Sequence, residues 1–246
     1  MPNNFFRFKQ FIIHQNHCAM KVCTDACLFG SLLPTFPDGG GRHVLDIGTG
    51  TGLLSLMYAQ KDPFAIIDAV EIDKAAAQQA KENFEASPWQ ERLHIYNTSI
   101  QHFNISTSQQ FTSSIKYDLI ISNPPFFEND LKSKNLKRNL ALHSAELSLE
   151  ELLKAITKFL KEDGMFVVLL PYHRTQTFIG LATKQSFYLI EKVLIKQTPR
   201  HTYFRSILFF SKKSTHTKNS EIIIQNEEGQ YTNTFVELLK DYYLYL

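Results

Sequence analysis

The segment that most limits how this chain can fold is a short apolar run followed by a glycine-rich loop. It spans residues 44–52 and reads Val-Leu-Asp-Ile-Gly-Thr-Gly-Thr-Gly. Glycine allows a tight turn and lets a ligand approach the main chain, so the pattern is typical of a strand that ends at a ligand site before a helix begins. It predicts an open α/β sheet that binds a nucleotide-like molecule at the carboxyl end of the domain's first strand.

The chain after this loop alternates between strand and helix patterns. Such alternation favours a doubly wound, mostly parallel sheet with helices on both faces. The last two of seven expected strands are joined by a loop that contains Pro199, which predicts an antiparallel C-terminal hairpin. The expected strands cover residues 44–47, 65–72, 93–97, 117–122, 165–170, 187–196 and 204–211, and the expected helices cover residues 52–60, 74–85, 149–160 and 174–184.

Proline and glycine residues mark a boundary near the N-terminus. Pro34, Pro37 and the glycines at 39–41 predict a break in regular structure. We therefore expect an N-terminal lead over residues 1–41, a main domain over residues 42–213, and a C-terminal extension of that domain over residues 214–246. In the lead we expect a strand at 5–15 that forms half of a hairpin with 17–22, followed by a helix at 24–30 capped by Thr24 or Asp25. In the extension we expect a strand at 222–224 and a helix at 234–242.

Composition excludes several classes of protein. The chain has 246 residues, 43% of them hydrophobic, which is enough for a full core. It has no apolar run of membrane-spanning length and no signal-peptide layout at its start, so we expect a soluble cytoplasmic protein. Cys18, Cys23 and Cys27 are odd in number and do not match common metal-site spacings, so we expect small buried side chains rather than disulfides or a metal site. The net charge of +2 neither requires nor excludes nucleic acid.

Residues around the glycine loop favour one kind of ligand. The third glycine comes one residue too early for the dinucleotide fingerprint Gly-x-Gly-x-x-Gly. Asp46 precedes the loop, where it would repel a pyrophosphate but would suit an adenosine joined to a cationic sulfonium and an amino-acid head. Glu71 ends the second predicted strand nineteen residues after Gly52, where a carboxylate can accept hydrogen bonds from both ribose hydroxyls. An ordinary strand-to-helix turn is the alternative.

The fourth predicted strand ends in Asn-Pro-Pro-Phe. The two prolines stop the strand after Asn123, because each fixes φ and lacks an N–H. The amide oxygen of Asn123 and the carbonyl of Pro124 can then accept the two hydrogens of an NH2 group, while the ring of Phe126 stacks on the planar group that carries it. The alternative is a simple loop after a buried strand. The candidate catalytic residues are Asn123, Pro124, Pro125 and Phe126.

The glycine loop and Glu71 together resemble the S-adenosylmethionine-dependent methyltransferases that have a seven-stranded, Rossmann-like sheet, over roughly residues 44–212. This resemblance implies that the loop holds the amino-acid part of S-adenosylmethionine, that Glu71 holds the ribose, and that the loop after the third strand holds the adenine. Many members have an acidic residue in that last loop, whereas this chain has Ser99. The implied cofactor-binding residues are Asp46, Gly48, Gly50, Gly52, Glu71, Ile72, Ser99 and Asn123.

Other segments narrow the resemblance. Asn-Pro-Pro-Phe beside such a loop is similar to the signature of enzymes that methylate adenine, guanine or glutamine amino groups. The segments Cys-Ala-Met-Lys-Val-Cys-Thr-Asp-Ala (18–26) and Leu-Ser-Leu-Glu-Glu-Leu (147–152) resemble the bacterial tRNA1(Val) adenine-N6-methyltransferases. That resemblance implies methylation of adenine 37, beside the anticodon, without a metal. It also implies that the lead covers the cofactor, which adds Lys21, Thr24 and Asp25 to the cofactor-binding candidates.

Three other functions stay open. Glutamine methylation in a translation factor uses a similar signature, although tyrosine commonly replaces the phenylalanine at the position of Phe126. Guanine methylation in ribosomal RNA is a second, although those enzymes often have a duplicated domain. The third is a non-catalytic binding protein of the same fold, against which the joint presence of Asp46, Glu71 and Asn123 argues.

Basic residues flank the predicted catalytic loop in sequence. Residues 192–218 contain seven lysines or arginines and no acid, with Tyr203 and Phe204 among them. Because phosphates attract cations and unstacked bases stack on aromatic rings, these residues favour contact with RNA. The resemblance implies that the RNA is the anticodon stem-loop of a tRNA, and we expect the protein to be a monomer. A solvated surface is the alternative for each cluster. The candidate RNA-binding residues are Lys132, Lys134, Lys137, Arg138, Lys196, Arg200 and Arg205.

Overall fold

The computed structural model describes residues 4–18, 20–36, 41–104, 115–124 and 147–246. These residues form one eight-stranded mixed sheet and a separate two-stranded sheet near the N-terminus. The strands are β1 (Phe5–Arg7), β2 (Ile12–His14), β3 (His43–Ile47), β4 (Ile66–Glu71), β5 (Leu93–Asn97), β6 (Tyr117–Ser122), β7 (Leu160–Pro171), β8 (Tyr188–Lys196), β9 (Arg205–Ser211) and β10 (Lys218–Ile223). The α-helices are α1 (Thr24–Leu32), α2 (Leu53–Lys61), α3 (Lys74–Glu85), α4 (Leu149–Phe159), α5 (Thr175–Lys184) and α6 (Asn233–Leu239).

The strand order of the large sheet determines where a ligand can bind. The order is β10-β8-β9-β7-β6-β3-β4-β5, and the five strands from β7 to β5 run parallel. The chain moves outward from β3 to β4 and β5, and then returns to the other side of β3 to form β6 and β7. In open α/β sheets, ligands bind in the crevice at the carboxyl ends of the strands where the order reverses in this way. Here that crevice borders the ends of β3 and β6.

Two apolar clusters cover the two faces of this sheet. Successive side chains of a strand point to opposite faces, so Val44 and Leu45 of β3 belong to different clusters. The Val44 cluster includes side chains of α1, α2 and α3, and the Leu45 cluster includes side chains of α4 and α5. All six residues of β6 are buried, as expected for a parallel strand covered on both faces.

Capping residues fix where two of these helices begin. The Asp73 carboxylate accepts a hydrogen bond from the Ala76 N–H at 2.8 Å at the start of α3. Ser148 and Glu151 form a reciprocal capping box at the start of α4. Because Asp73 follows the end of β4 by two residues, its cap also fixes the path of the chain beside Glu71.

The N-terminal lead packs against the last residues of the chain and against α3. Phe8 forms a β-bridge with Tyr243, and the Lys9 N–H donates to the carbonyl of Tyr242 at 2.8 Å. The Asn83 side chain in α3 bonds both the N–H and the carbonyl of His14, each at 2.9 Å. The lead is therefore anchored at two places by segments far from it in sequence.

The predicted fold class is confirmed, with one strand added and one hairpin corrected. β10 pairs in parallel with β8, so the sheet has eight strands rather than seven. The predicted hairpin between residues 5–15 and 17–22 is wrong, because the chain reverses within the first segment and β1 pairs with β2. The Phe8 N–H donates to the Phe11 carbonyl at 2.9 Å across the polar pair Lys9-Gln10, which forms this turn.

Other predicted elements differ from the structure at their ends. β7 begins at Leu160, before the predicted start at 165, and β10 begins at Lys218, before the predicted start at 222. The last helix stops at Leu239 instead of 242.

Cys18, Cys23 and Cys27 are free, and the first and last of them are buried. Over the described ranges, no group of three or more His, Cys, Asp or Glu side chains could hold a metal ion. None of the helices in the same ranges is long and apolar enough to cross a membrane.

Candidate active site

Three predicted site residues follow directly from three hydrogen-bonded strands. In the register of the sheet, Ile47 of β3 lies opposite Val70 of β4 and opposite Ser122 of β6. Gly48, Glu71 and Asn123 each come one residue later, so all three lie at one edge of the sheet. The Ser122 hydroxyl donates to the Ile47 carbonyl at 2.8 Å and ties the ends of β3 and β6 together.

The glycine loop has the open, left-handed turns that a close ligand requires. Gly48 and Gly50 have φ of 72° and 58°, and a Cβ added at either would have no atom of the described residues within 4 Å, apart from its chain neighbours. Gly52 has φ of 84°, and a Cβ there would lie 2.4 Å from Cε1 of Phe84. Gly48 and Gly50 therefore leave free space above the main chain, whereas Gly52 permits close packing of the loop on α3.

Asp46 is a fully buried carboxylate at the base of this loop. Its Oδ2 accepts hydrogen bonds from the hydroxyls of Thr49 and Ser55 at 2.6 and 2.7 Å. Its Oδ1 has no hydrogen-bond partner within the described part of the chain. Burial raises the pKa of Asp46 to about 6, although the two hydroxyls favour the charged form. One oxygen of Asp46 is thus left to accept from a cationic group.

Glu71 joins the end of β4 to the glycine loop. Its Oε2 accepts from the Gly50 N–H and its Oε1 from the Asp73 N–H, both at 2.9 Å. Because each carboxylate oxygen can accept more than one hydrogen bond, the fixed carboxylate can still accept from the hydroxyls of a sugar. The two backbone N–H groups fix its orientation.

Asn97 was not among the predicted site residues, but it supports the chain at the end of β4. Its side-chain amide donates to the carbonyls of Glu71 and Ile72 at 2.9 and 3.2 Å, which ties the end of β5 to the end of β4. The signal available in the sequence is an asparagine as the last residue of a predicted strand. The Ile72 side chain is 55% exposed just beyond these two hydrogen bonds.

Ser99, predicted to contact adenine, has its hydroxyl 2.8 Å from Nδ1 of His102.

The catalytic candidates are described in part. Asn123 is half-buried and Pro124 is buried, directly after β6. Pro125 and Phe126 lie outside the described residues, and so do the predicted RNA-binding residues Lys132, Lys134, Lys137 and Arg138.

The N-terminal lead passes near Glu71. The pKa of the Cys18 thiol rises to about 11, first through burial and then through the negative charges of Glu71 and Asp73. Three residues later, the Lys21 ammonium donates to the Gln15 carbonyl at 2.9 Å. This hydrogen bond links residues 15 and 21 of the lead.

The predicted cap of α1 is wrong. The helix begins at Thr24, so the capping position belongs to Cys23, which makes no side-chain capping bond. The buried Asp25 carboxylate instead accepts a hydrogen bond from Nε of Arg205 at 2.7 Å. Arg205 begins β9 opposite Pro171 of β7, so this ion pair joins the lead to the ligand-binding edge of the sheet.

The cations of residues 192–218 are mostly paired with carboxylates from other parts of the chain. Of the RNA-binding candidates, Lys196 lies 3.3 Å from Glu221, Arg200 lies 2.7 Å from Glu227, and Arg205 bonds Asp25. Residues 192–218 contain no acid, but in the folded protein these carboxylates offset much of their positive charge. Two further pairs are Lys212 with Glu162 and Lys218 with Glu191.

Comparison with known proteins identifies the class and then the family. The model of the methyltransferase small domain family matches residues 29–176, more than half of the chain, so the chain is a methyltransferase of this family. A tRNA1(Val) (adenine(37)-N6)-methyltransferase from Cytophaga hutchinsonii is 41% identical, with 100% of both chains covered. One from Dyadobacter fermentans is 40% identical, with 99% of both covered. The chain therefore belongs to the family of tRNA1(Val) (adenine(37)-N6)-methyltransferases.

A solved structure agrees with the fold. A protein from Agrobacterium tumefaciens, described as a predicted O-methyltransferase, aligns with a TM-score of 0.66 and 16% identity, covering 88% of this chain and 96% of its own. At this identity the likeness concerns the fold alone.

Proposed function

We propose that this chain transfers a methyl group from S-adenosylmethionine to the exocyclic amine of adenine 37 in tRNA1(Val). Family membership supports the reaction and the substrate. The observation that carries the proposal is the meeting of Gly48, Glu71 and Asn123 at one sheet edge, because it brings cofactor-binding and amine-orienting groups together. The enzyme acts as a monomer in the cytoplasm and binds the anticodon stem-loop.

The residues around β3 fit the parts of S-adenosylmethionine. The free space above Gly48 and Gly50 admits the amino-acid part close to the main chain. The Oδ1 of Asp46, which has no hydrogen-bond partner among the described residues, suits a positively charged amino group. Glu71 accepts from the ribose hydroxyls, while the exposed Ile72 offers an apolar surface to the adenine, with Ser99 nearby in the loop after β5.

The N-terminal lead completes the cofactor site in this proposal. The effect of the Glu71 charge on the pKa of Cys18 supports a position of this part of the lead beside the ribose. Lys21 holds the turn of the lead through Gln15, and Thr24 and Asp25 lie on α1, which Arg205 ties to the sheet edge. These residues then act on the cofactor by positioning the lead.

The chemistry follows from hydrogen bonding to the amine. The lone pair of an exocyclic adenine amine is delocalised into the ring, which makes the nitrogen a weak nucleophile. The Asn123 amide oxygen and the Pro124 carbonyl accept the two N–H hydrogens, which localises the lone pair and aims it at the methyl group. When bound, S-adenosylmethionine would supply that methyl group on a sulfonium, which would leave as a neutral thioether, and the methylated nitrogen would lose one proton to water. Pro125 fixes the turn and Phe126 stacks on the base.

Recognition of the tRNA combines charge and stacking. Four candidate cations follow the catalytic turn in sequence, namely Lys132, Lys134, Lys137 and Arg138. Of the other three, Lys196 ends β8, Arg200 lies between β8 and β9, and Arg205 begins β9. The ion pairs of Lys196 and Arg200 with the exposed carboxylates of Glu221 and Glu227 do not prevent phosphate binding, because surface pairs of this kind are weak and exchange easily. An anticodon loop is single-stranded, so presenting its adenine costs little.

The test is methyl transfer from labelled S-adenosylmethionine to unmodified tRNA1(Val) transcript, followed by nucleoside analysis. We expect N6-methyladenosine, and we expect none when adenine 37 of the transcript is replaced by guanine. Label in methylguanosine, or in a protein glutamine, would contradict the proposed substrate and leave the cofactor assignment intact.

A further inference from the structure

Two tyrosine rings stand together beside the candidate active site. Tyr172 follows the end of β7 and Tyr203 lies two residues before β9, with ring centroids 5.4 Å apart and planes at 49°. We call Tyr172 and Tyr203 the tyrosine pair. The Tyr172 side chain is 42% exposed, although an aromatic ring at the surface gives up the stabilisation that burial would provide. The proposed methylation mechanism assigns no role to either ring.

The tyrosine pair is held in place by its neighbours. The Tyr203 hydroxyl donates to Oε2 of Glu221 at 2.7 Å. The Lys196 ammonium lies 5.1 Å from the centroid of the Tyr203 ring and 3.3 Å from the same carboxylate. The Tyr172 N–H donates to the Phe204 carbonyl at 3.0 Å. These contacts fix the Tyr203 ring and the main chain at Tyr172, and the Tyr172 ring packs on that of Tyr203. A stacking partner therefore loses little free energy in ordering the pair.

The sheet register places this pair close to Asn123. Ser122 at the end of β6 lies opposite Val168 of β7, and Tyr172 comes four residues after Val168. With strands about 4.8 Å apart and a rise of about 3.3 Å per residue, Tyr172 lies roughly 10–15 Å from Asn123. A few nucleotides at about 3.4 Å each cover that distance. A base held at the tyrosine pair would thus belong to the loop whose adenine reaches Asn123.

We propose that the tyrosine pair is a stacking platform for an unpaired base near the target adenine in the anticodon loop. This inference rests on the proposed function and adds a recognition site to it. Tyrosine faces accept any base, and loop bases are already unstacked. Lys196 adds a cation next to the rings, where the RNA backbone of the stacked nucleotide would pass.

Replacement of Tyr172 tests the platform. Because base–aromatic stacking is worth enough to change binding about 5- to 150-fold, we expect Tyr172→Ala to raise KM for tRNA1(Val) by a factor in that range. The kcat and the Kd for S-adenosylmethionine stay near the parent values, and Tyr172→Phe, which keeps the ring, restores KM. Tyr188→Ala is the matched control, since Tyr188 is 43% exposed but begins β8, at the opposite end from Lys196.

A second measurement separates stacking from a general structural effect. Anticodon stem-loops with a single abasic nucleotide, placed in turn at each loop position other than adenine 37, are bound to the parent and to Tyr172→Ala. We expect one abasic position to weaken binding to the parent and to have no further effect on the variant. If the two proteins lose the same affinity at every abasic position, or if Tyr172→Ala has the parent's KM, the platform is refuted. Absence of N6-methyladenosine with the parent enzyme would instead refute the proposed function.

Discussion

At the scale of the single residue, the proposed contact of Asp46 with the cofactor predicts that binding depends on pH. The pKa of Asp46, about 6, lies above the usual value because the carboxylate is buried, so the group loses its charge as pH falls below about 6. In the proposed site, only the charged form would pair with the amino group of S-adenosylmethionine. We expect the Kd for the cofactor, measured by calorimetry, to be lowest near pH 7 and to rise as pH falls from 7 to 5.

The variant Asp46→Asn removes this charge. A hydrogen bond to a charged group contributes about 1.5–3 kcal/mol, so we expect Kd for S-adenosylmethionine at pH 8 to rise about 10- to 150-fold and to lose its pH dependence. The folded pKa exceeds the unfolded one, so the charged carboxylate costs stability above pH 6 in the cofactor-free protein. A large fall in the Tm of cofactor-free Asp46→Asn at pH 8 would therefore contradict this account.

We expect Asn123 to affect turnover more than cofactor affinity. Asn123→Ala removes one of two acceptors that orient the amine, and loss of one such oriented group typically slows an enzyme about 100-fold. We expect kcat on tRNA to fall by that order while the Kd for S-adenosylmethionine changes less than about twofold. Asn219→Ala, at an exposed asparagine of the edge strand β10, is the control and should have the parent's kcat. Equal kcat in Asn123→Ala and the parent would disprove the role of Asn123.

At the scale of the element, the turn between β3 and α2 depends on Gly52 for packing. An alanine there would adopt φ of 84° and place its Cβ 2.4 Å from Cε1 of Phe84. Backbone strain and overpacking each cost on the order of 1–3 kcal/mol, so we expect Gly52→Ala to lower the free energy of unfolding by about 2–4 kcal/mol. The control is Gly180→Ala in α5, where a Cβ meets no atom of another described segment within 4 Å and helix propensity favours alanine. Urea unfolding of both variants should show opposite shifts of the midpoint.

The ends of the central strands could be predicted from sequence, and most long-range contacts could not. Gly48, Glu71 and Asn123 end apolar runs, and the carboxyl ends of parallel strands share one edge, so local pattern and sheet geometry bring them together. No local pattern indicates that Asp25 pairs with Arg205, because the partner lies 180 residues away. The sequence also did not predict that β10 joins the sheet. Its residues are mostly polar, and it pairs with β8 through backbone hydrogen bonds that leave no local sequence pattern.

At the scale of the whole molecule, Asp118 contributes to stability in a pH-dependent way, away from the active site. Partial burial alone would raise its pKa, but bonds from Lys161 at 2.8 Å and the His43 N–H at 3.0 Å, with Arg42 nearby, lower it below the usual value. The group therefore stabilises the fold at neutral pH, and this contribution is lost as pH falls through its folded pKa.

Replacing this carboxylate tests that contribution. Lys161 is 38% exposed, so we expect Asp118→Asn to cost a modest amount, about 1–2 kcal/mol, or about 2–8 °C in Tm at pH 7. The difference from the parent should shrink toward pH 3. Asp163→Asn, at an exposed aspartate in the same strand as Lys161, should match the parent at both values. A gap in Tm that stays constant between pH 7 and pH 3 would contradict an electrostatic origin.

The contact between Phe8 and Tyr243 also constrains the order in which the protein can be completed on the ribosome. The lead is synthesised before residues 242 and 243, yet the β-bridge at Phe8 and the hydrogen bond from Lys9 both require those residues. The sheet from β3 to β7 can therefore assemble while the lead still lacks part of its packing surface. The contacts of Phe8 and Lys9 can form only after translation has passed the final helix.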